Sequence, residues 1–498
     1  MRAVAAMREL AGSATLGLLL AAAFVLLSVA TPTWQLLVLI AVVGWAMLGW
    51  SADRRSTLLF LFVVAVPINL SKALVVEGGV YSPGLSLYPA DLLLIALAAW
   101  WVGDRFVSRA VIRIDRSHAL ALLLLGWMWL SALRSDYPLG GMLAAVVYTK
   151  FFVGYFLLTQ CVRTPRDLRV VAAALLFGFA MQFLYASAQF ASGSALEIQG
   201  AKITTLGTRL VFDQAGGLSA FRPSGFLQHP NMLGDYLVFV IPPALCLALL
   251  GPGVLPRGVR AASVFVCLGG AALLVATLSR GAWISLVVAF LVVAVAGLRA
   301  GLVRRGHLMA LSALGLAGAI LVVALYPQAL LRITESDAQS TESRLVMMDQ
   351  ALLIIGRHPV LGVGLGAYNH AAQANIPESF VSVSEAFQDQ LLQGVVHNGF
   401  LLMAAELGTI GLLLFLLLTW HMLRLALPLA RWRDPVYLAI ALGLAAAIVG
   451  QMVFHLFDHF YADIRHAMLW MYFGLLHALS VLHGATSAGD PVVVQARR

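Results

Sequence analysis

The sequence predicts an all-α, polytopic membrane protein with about 12–14 transmembrane helices. Of its 498 residues, 61% are hydrophobic and only 11% are charged. A soluble globular domain is typically ~45–50% apolar and ~25% charged, so a soluble fold is excluded. The alternating pattern of a membrane barrel is absent, and the long apolar runs therefore indicate helices, which satisfy their backbone hydrogen bonds internally.

Apolar runs of about 17–25 residues mark most of the expected spans, and two or three shorter runs would be half-helices or re-entrant segments. The runs lie near 14–30, 34–50, 57–70, 90–103, 118–133, 142–160, 167–191, 232–251, 260–279, 281–298, 307–326, 398–423, 435–457 and 465–483. We divide the chain into an N-terminal transmembrane scaffold, 1–200, and a second transmembrane domain, 201–498.

The arginines predict the orientation of the chain. Most of the 32 basic residues fall in short segments that alternate along the sequence, such as the one containing Arg304 and Arg305. Because short cytoplasmic loops carry an excess of Lys and Arg, these segments and both termini are expected in the cytoplasm. The net charge of +9 is accounted for in this way, and it implies no nucleic-acid partner.

A large outward loop is expected at 327–397. A structureless loop of ~70 residues would be unusual, so this loop is expected to fold and to be partly helical. Helical spacing of apolar residues predicts an amphipathic helix over about 342–356, which would lie on the membrane or cap a cavity. The apolar stripe consists of Leu345, Met348, Leu352 and Ile355.

Several arginines lie where the topology rule does not require them. Arg222 lies in a turn-rich outer segment that also carries His229, and an anion-binding role competes with a snorkelling side chain. Arg280 lies between two apolar runs, where burial costs several kcal/mol unless the guanidinium is paired, so we expect either a bound anion or a structural ion pair. For Arg344, substrate contact and a salt bridge within the loop stay equally open.

A glycine-rich run extends from Gly362 to Tyr368. It superficially suggests a nucleotide loop, but no strand or βαβ unit surrounds it, and nucleotide binding is rejected. Glycines that let the backbone approach a glycan or a neighbouring helix are the better explanation. Tyr368 is kept as a candidate substrate contact.

His397 and Asn398 stand at the start of an apolar helix, directly after the large loop. A neutral imidazole with a pKa of ~6.5 can accept a proton from a hydroxyl or position an acceptor. The alternative is an interface histidine at a helix start. Glu406 would lie on the opposite face of the helix, about 13 Å deeper, so we expect it to be a structural, hydrogen-bonded residue.

A further polar cluster is expected at the outer end of the last two spans, where His455, Asp458 and His459 occur. His455 and His459 share a helix face, which is one possible basis for a metal site, but spacing fixes no third ligand and no metal is assigned. Substrate contact and hydrogen bonding between helices stay open as the alternatives.

Four stretches, in order between about 220 and 420, carry a family resemblance. They are Arg222-Pro-Ser-Gly with Pro230-Asn231, Ser279-Arg280-Gly281, Arg344 through Tyr368, and His397-Asn398 through Gly411. Together they resemble the bacterial O-antigen ligase and Wzy polymerase superfamily. The resemblance implies a membrane glycosyltransferase of GT-C type in the bacterial inner membrane, with its site facing the periplasm and without a metal or other cofactor.

The resemblance also implies substrates and residue roles. The donor would be a glycan linked to undecaprenyl diphosphate, and the acceptor would be lipid A core or a lipid-linked repeat unit, in lipopolysaccharide or exopolysaccharide synthesis. In the family two arginines engage the diphosphate and a loop histidine serves the acceptor; Arg222, Arg280 and His397 occupy these positions. A protein O-oligosaccharyltransferase and a flippase or exporter for polyprenyl-linked sugars remain alternatives. The candidate substrate ligands are Arg344, His229, Asn398, Asp458, His459 and Tyr368.

Overall fold

The structure is a computed structural model. It describes residues 32–51, 53–75, 84–109, 112–196, 209–212, 218–227, 229–334, 338–382, 394–429, 434–459 and 464–487.

The described residues contain sixteen α-helices and very little sheet. In chain order the helices are α1 (Pro32–Trp50), α2 (Arg54–Ala65), α3 (Pro89–Ser108), α4 (Arg116–Leu133), α5 (Pro138–Cys161), α6 (Pro165–Ser192), α7 (Pro230–Ala248), α8 (Arg257–Ala276), α9 (Arg280–Arg299), α10 (Arg305–Leu325), α11 (Pro327–Thr334), α12 (Ala338–Arg357), α13 (Tyr368–Ala374), α14 (Gly399–Leu429), α15 (Pro435–Phe454) and α16 (Ile464–Ser487). Two antiparallel hairpins pair β1 (Lys72–Val75) with β2 (Leu85–Leu87) and β3 (Arg209–Phe212) with β4 (Leu218–Phe221).

The predicted all-α polytopic class is confirmed. Within the described residues, ten helices are long and apolar enough to cross a membrane, namely α4 to α10 and α14 to α16. The three predicted spans nearest the described N-terminal end form α1, α2 and α3. Helix α2 has 12 residues, too few to cross a hydrocarbon layer of ~30 Å. The predicted span at 14–30 lies outside the described residues.

Proline and polar residues set the helix starts that matter for the site. Proline occupies the first turn of α5, α6, α7 and α15, where its fixed φ and missing N–H are harmless. His229 is the N-cap of α7, and its side chain accepts a hydrogen bond from the backbone N–H of Asn231. The start of α7 is therefore fixed directly beside the turn that carries Arg222.

The described part of the large loop after α10, residues 327–334, 338–382 and 394–397, is folded and partly helical, as predicted. The helix expected over about 342–356 is present as α12. Its inward face is buried against α13 and the first turns of α14, through Val346, Met347, Ala351 and Ile354. Two residues of the predicted apolar stripe, Leu345 and Leu352, remain 57% and 53% exposed.

The glycine-rich run brings the loop backbone against neighbouring helices rather than against an open cleft. Gly362, Gly364 and Gly366 all have positive φ, and a Cβ on any of them would collide with another segment of the chain. Gly362 lies against the backbone of Glu406, and the N–H of Gly364 donates to the Glu406 carbonyl at 2.9 Å. Of the two explanations that the sequence left open, the approach to a helix is therefore the one these contacts support.

Helix α14 breaks at Gly408, whose φ of 67° and ψ of −175° are not helical. The break lets the loop backbone take over the helix hydrogen bonds: the N–H of Val363 donates to Ala405, and the N–H of Thr409 donates to Pro359, both at 2.9 Å. The short first segment of α14 and the loop are consequently joined by backbone hydrogen bonds.

We expect Gly408→Ala to destabilise the protein strongly. The backbone angles at Gly408 are accessible almost only to glycine, and strain alone costs about 1–3 kcal/mol. The added Cβ would also meet the carbonyl of Val360. The measurement is the fraction of monodisperse protein after heating in detergent. Gly356→Ala in α12 is the matched control, since nothing lies within 4 Å of its Cβ position; equal thermal profiles for the two variants would contradict the prediction.

Candidate active site at one end of the helix bundle

Five helix ends converge around a single polar cluster. His397 precedes α14, His229 precedes α7, and Arg280 is the first residue of α9. Asp458 follows α15, and Arg465 lies in the first turn of α16. Helix ends expose unsatisfied backbone groups and side chains together, so such a convergence can surround a polar ligand at the edge of an apolar bundle.

His397 is held by a carboxylate. Its Nδ1 lies 3.2 Å from Oδ1 of Asp458, and the same oxygen accepts the backbone N–H of His459 at 2.8 Å. A carboxylate partner favours a proton on Nδ1, which leaves the lone pair of a neutral ring on Nε2. The imidazole is 30% exposed, so this nitrogen belongs to a side chain that solvent and ligands can reach.

Asp458 links His397 to two arginines. Its Oδ2 lies 3.1 Å from Nη1 of Arg465 and accepts, at 3.5 Å, from the side-chain amide of Asn231. The Oδ1 of Asn231 in turn accepts from Nη2 of Arg222 at 2.7 Å. Burial disfavours the charged form of Asp458, but Arg465 and the hydrogen bond from His397 hold its pKa well below the usual value. A hydrogen-bonded chain therefore runs from Arg222 to His397.

Arg222 belongs to a cationic group. Its side chain is 5% exposed, and its Nε donates to the carbonyl of Thr277 at 2.6 Å. Burial lowers its pKa to about 9, and the charges of Arg332 and then Arg344 act in the same direction. Arg222 is still protonated at neutral pH, so guanidinium groups repel one another here. An anion placed among them would relieve that repulsion.

Arg280 occupies the N-terminus of α9, beside the same group. The segment before it is fixed by two arginines, because Arg222 bonds the carbonyl of Thr277 and Arg332 Nε donates to the carbonyl of Leu278 at 3.3 Å. Leu278 itself has a φ of 51°, a conformation that L-residues rarely adopt. A cation at the positive end of a helix dipole is unfavourable alone, and a bound anion would compensate both charges.

Gly281, the residue after Arg280, brings the N-terminus of α9 close to the turn that carries Asp458, the partner of His397. A Cβ on Gly281 would lie 2.9 Å from the Cβ of Phe457, the residue before Asp458. Glycine therefore allows the backbone of α9 to approach the turn after α15. Arg222, Arg280 and His397, which the sequence predicted as the catalytic residues, are brought to one end of the bundle by these contacts.

His229 and Asn398 both cap helices at the cluster. Burial and then the charge of Arg222 lower the pKa of His229 to about 3, so its ring is neutral. The Oδ1 of Asn398 accepts from the backbone N–H groups of Phe400 and Leu401 at 3.0 and 3.1 Å. These contacts give both residues a structural task, and their predicted contact with substrate stays a prediction.

Tyr368 is buried in the apolar core that also contains Val395 and Val396, the residues directly before His397. It is 0% exposed in the core beneath α12, and its hydroxyl donates to the carbonyl of Met347 at 3.4 Å. Its backbone N–H donates to Oε1 of Glu406 at 3.2 Å. The predicted substrate contact of Tyr368 has no support in this arrangement, whereas the expected structural, hydrogen-bonded role of Glu406 agrees with it.

The two histidines that follow α15, His455 and His459, have different surroundings. His455 Nδ1 donates to the carbonyl of Gln451 at 2.5 Å, which directs it into the bundle. His459 packs beside His397, with ring centroids 5.2 Å apart. The ligand atoms of His397, Asp458 and His459 lie within 4.8 Å of one another, so these three, rather than His455 with His459, are the set that fits a metal ion here. The guanidinium of Arg465, which is paired with the Asp458 carboxylate, would repel a metal cation bound by these three residues.

Arg332, Arg465 and Asn231 were not among the predicted site residues. Arg332 and Arg465 do share a sequence signal with Arg280, because all three lie outside the segments that the positive-inside rule fills with arginine. Asn231 carries no comparable signal, since Pro-Asn is an ordinary helix start. Its place between Arg222 and Asp458 depends on the arrangement of the helices.

The fold and the cluster define a multi-pass membrane protein with a cationic, histidine-containing site at one end of its helices. The model of the family described as O-antigen ligase matches residues 264–416, which confirms the resemblance that the motifs carry. The match supports O-antigen ligase-type membrane glycan transfer in general, and the matched segment includes Arg280, α12 and His397. Arg222, Asp458 and Arg465 lie outside it. No curated protein matches the chain.

Proposed function

We propose that the protein transfers a glycan from a polyprenyl diphosphate to an acceptor hydroxyl at the periplasmic face of the bacterial inner membrane. The observation that carries the proposal is geometric. Arg222 and Arg332 donate to the consecutive carbonyls of Thr277 and Leu278 just before Arg280, at the same end of the bundle as the imidazole of His397 and its carboxylate partner. The expected donor is an undecaprenyl-diphosphate-linked glycan, and the acceptor is lipid A core or a lipid-linked repeat unit.

The arginines serve the leaving group. As the bond between the anomeric carbon and the diphosphate oxygen breaks, its electron pair passes to the diphosphate, where negative charge grows. Arg222, Arg280 and the N-terminus of α9 supply fixed positive charge that stabilises this growth. Arg332 and Arg344 extend the positive field around Arg222.

The imidazole serves the acceptor. The acceptor oxygen attacks the anomeric carbon from the face opposite the diphosphate, which inverts its configuration, and its proton passes to Nε2 of His397. Asp458 keeps the other ring nitrogen protonated and stabilises the imidazolium that results. In this scheme Asp458 positions His397, and the earlier expectation of direct substrate contact for Asp458 is replaced by that role.

A reconstituted reaction tests the proposal. Purified protein in liposomes receives lipid-linked glycan with and without lipid A core. A ladder of products identifies a polymerase, and a single shifted band that requires lipid A core identifies a ligase. If labelled lipid-linked glycan crosses the bilayer and no new glycosidic bond forms, the proposal is contradicted and a flippase is favoured. Transfer of the glycan to a polypeptide alone would favour a protein oligosaccharyltransferase.

The exposed stripe of α12 is expected to rest against lipid and help retain the donor. Leu345 and Leu352 are more than half exposed, so Leu345→Asp with Leu352→Asp should change folding stability little. We expect KM for the lipid-linked donor to rise by roughly tenfold, since ~1.4 kcal/mol of apolar contact corresponds to that factor. Glu342→Gln, on the exposed start of the same helix, is the matched control; an unchanged KM in the double variant would refute the lipid contact.

A further inference from the structure

A second cluster of titratable side chains lies at the other end of the bundle. It consists of Asp115, the N-cap of α4, His118 in the first turn of α4, and His477 in α16. His477 is ~18 Å along the axis of α16 from Arg465, at ~1.5 Å per residue, so this cluster is separate from the candidate active site. The proposed glycan transfer assigns no task to any of the three residues.

The three side chains present ligand atoms to one another. His118 Nδ1 lies 3.0 Å from Oδ1 of Asp115, His477 Nε2 lies 2.7 Å from Oδ2, and all of the ligand atoms fall within 4.8 Å. Ligand atoms around a tetrahedral zinc ion are separated by ~3.4 Å, so small side-chain rotations would accommodate an ion. The two histidines are 3% and 1% exposed, whereas the Asp115 side chain is 47% exposed and leaves an entry from solvent.

Neighbouring hydroxyl groups fix which nitrogen of His118 carries a proton. The hydroxyl of Thr159 gives its only proton to the carbonyl of Phe156 at 2.7 Å, so it must accept from His118 Nε2 at 2.9 Å. In the neutral ring Nδ1 then holds a lone pair, which faces the Oδ1 of Asp115. This nitrogen also accepts the backbone N–H of Asp115 at 3.3 Å, and Oδ1 accepts the backbone N–H of Ser117 at 2.9 Å. The capping contacts therefore hold His118 Nδ1 and Asp115 Oδ1 3.0 Å apart, a separation at which a cation can contact both atoms.

His477 has a matching outer contact. Its Nδ1 lies 2.8 Å from the hydroxyl of Tyr155, a residue that is 0% exposed. If His477 Nε2 ligates an ion, Nδ1–H donates to this hydroxyl oxygen. Metal-bound histidines usually donate their second ring N–H to such a partner, which fixes the ring and its tautomer. Both histidines of the cluster have that partner.

We propose that Asp115, His118 and His477 form a binding site for a divalent transition-metal ion of the zinc class. The ligands are His118 Nδ1, His477 Nε2 and the Asp115 carboxylate, with a further position open to solvent. The ion joins the start of α4 to α16, while Thr159 and Tyr155 of α5 support the rings.

The test uses purified full-length protein stripped of metal with a chelator and then titrated with Co²⁺, whose visible absorption reports coordination by nitrogen and oxygen. We expect one tight equivalent that Zn²⁺ displaces. His477→Gln should abolish it, and Tyr155→Phe, which preserves the packing, should weaken affinity ~10–100-fold. His397→Ala is the control, because it disables the cluster at the active-site end and should leave this equivalent intact.

Three results would overturn the proposal. They are a wild type that binds no Co²⁺ after stripping, binding that survives in His477→Gln, and binding that disappears in His397→Ala. The first would mean that a proton on His118 Nδ1 holds the cluster together. Monodisperse elution of each variant on size exclusion confirms that folding is retained, and Tyr155→Phe provides a second readout if His477→Gln does not fold.

Discussion

His397→Ala should reduce glycan transfer by ~10²–10⁴-fold in reconstituted membranes, while the protein remains folded and in the membrane. The magnitude is that of a general base in proton transfer. His397 is 30% exposed and its ring makes one charged contact, with Asp458, so its loss leaves the apolar core intact. The measurement is kcat at saturating donor and acceptor, and KM for the donor should change little.

His397→Gln separates a proton-accepting role from a merely structural one. Glutamine can still donate a hydrogen bond to Asp458, but its amide cannot accept a proton at neutral pH. We expect it to be as inactive as His397→Ala. His370→Ala, in the exposed part of the same loop, is the matched control and should transfer at the wild-type rate. Wild-type turnover in His397→Gln would remove the base assignment.

Arg280→Ala should lower transfer by ~10²–10³-fold, the usual cost of removing one group that stabilises developing negative charge. Arg280→Lys should recover part of the rate. The lysine ammonium keeps the positive charge, but it cannot form a bidentate hydrogen bond with the diphosphate. The measurement is kcat/KM for the lipid-linked donor, compared with binding of the diphosphate product, which should weaken in parallel.

Arg299 offers a control on the same helix. It is an exposed arginine in the last turn of α9, at the opposite end from Arg280. Arg299→Ala should cost at most about 1 kcal/mol of stability through the helix dipole and leave transfer unchanged. If both variants lose activity equally, the effect belongs to the stability of α9, and the assignment of Arg280 to the diphosphate fails.

The positions of the long transmembrane helices could be predicted from the sequence, because a long apolar run is by itself sufficient to indicate a span. The runs predicted at 435–457 and 465–483 lie within a few residues of α15 and α16, since their ends are marked by polar residues. Helices α2 and α3 were harder to predict as spans, because α2 has only 12 residues and the 20 residues of α3 include charged side chains.

The faces of α12 show where sequence patterns stop being informative. Apolar residues occupy two adjacent stripes, one containing Leu345 and Leu352 and the other containing Val346 and Ile354. Both have helical spacing, so periodicity predicts the helix but not which stripe packs on protein. The structure buries the second stripe and exposes the first. In a membrane protein both surfaces are apolar environments, which is the physical reason for the ambiguity.

The candidate site was predictable as a set of residues but not as a network. Arg280 and His397 were selected because each is a polar side chain at the end of an apolar run, and Arg222 was selected because it lies in a turn-rich segment before one. The carboxylate behind His397 comes from a segment far along the chain, and nothing local connects Asp458 with Arg222 or His397. Their hydrogen-bonded chain is set by the packing of α7, α9 and α15, which side-chain spacing does not encode.

The break of α14 at Gly408 has a consequence for protein engineering. Residues 405–410 form backbone hydrogen bonds with residues 359–364, so the helix on both sides of the break at Gly408 is joined to the loop that precedes His397. A chimera that swaps acceptor preference should therefore be cut after Ile410 rather than at the membrane boundary, so that these hydrogen bonds stay within one parent sequence. A graft that ends at His397 would join this histidine to a helix start from the other parent protein, and the backbone hydrogen bonds between that helix and the loop would be lost.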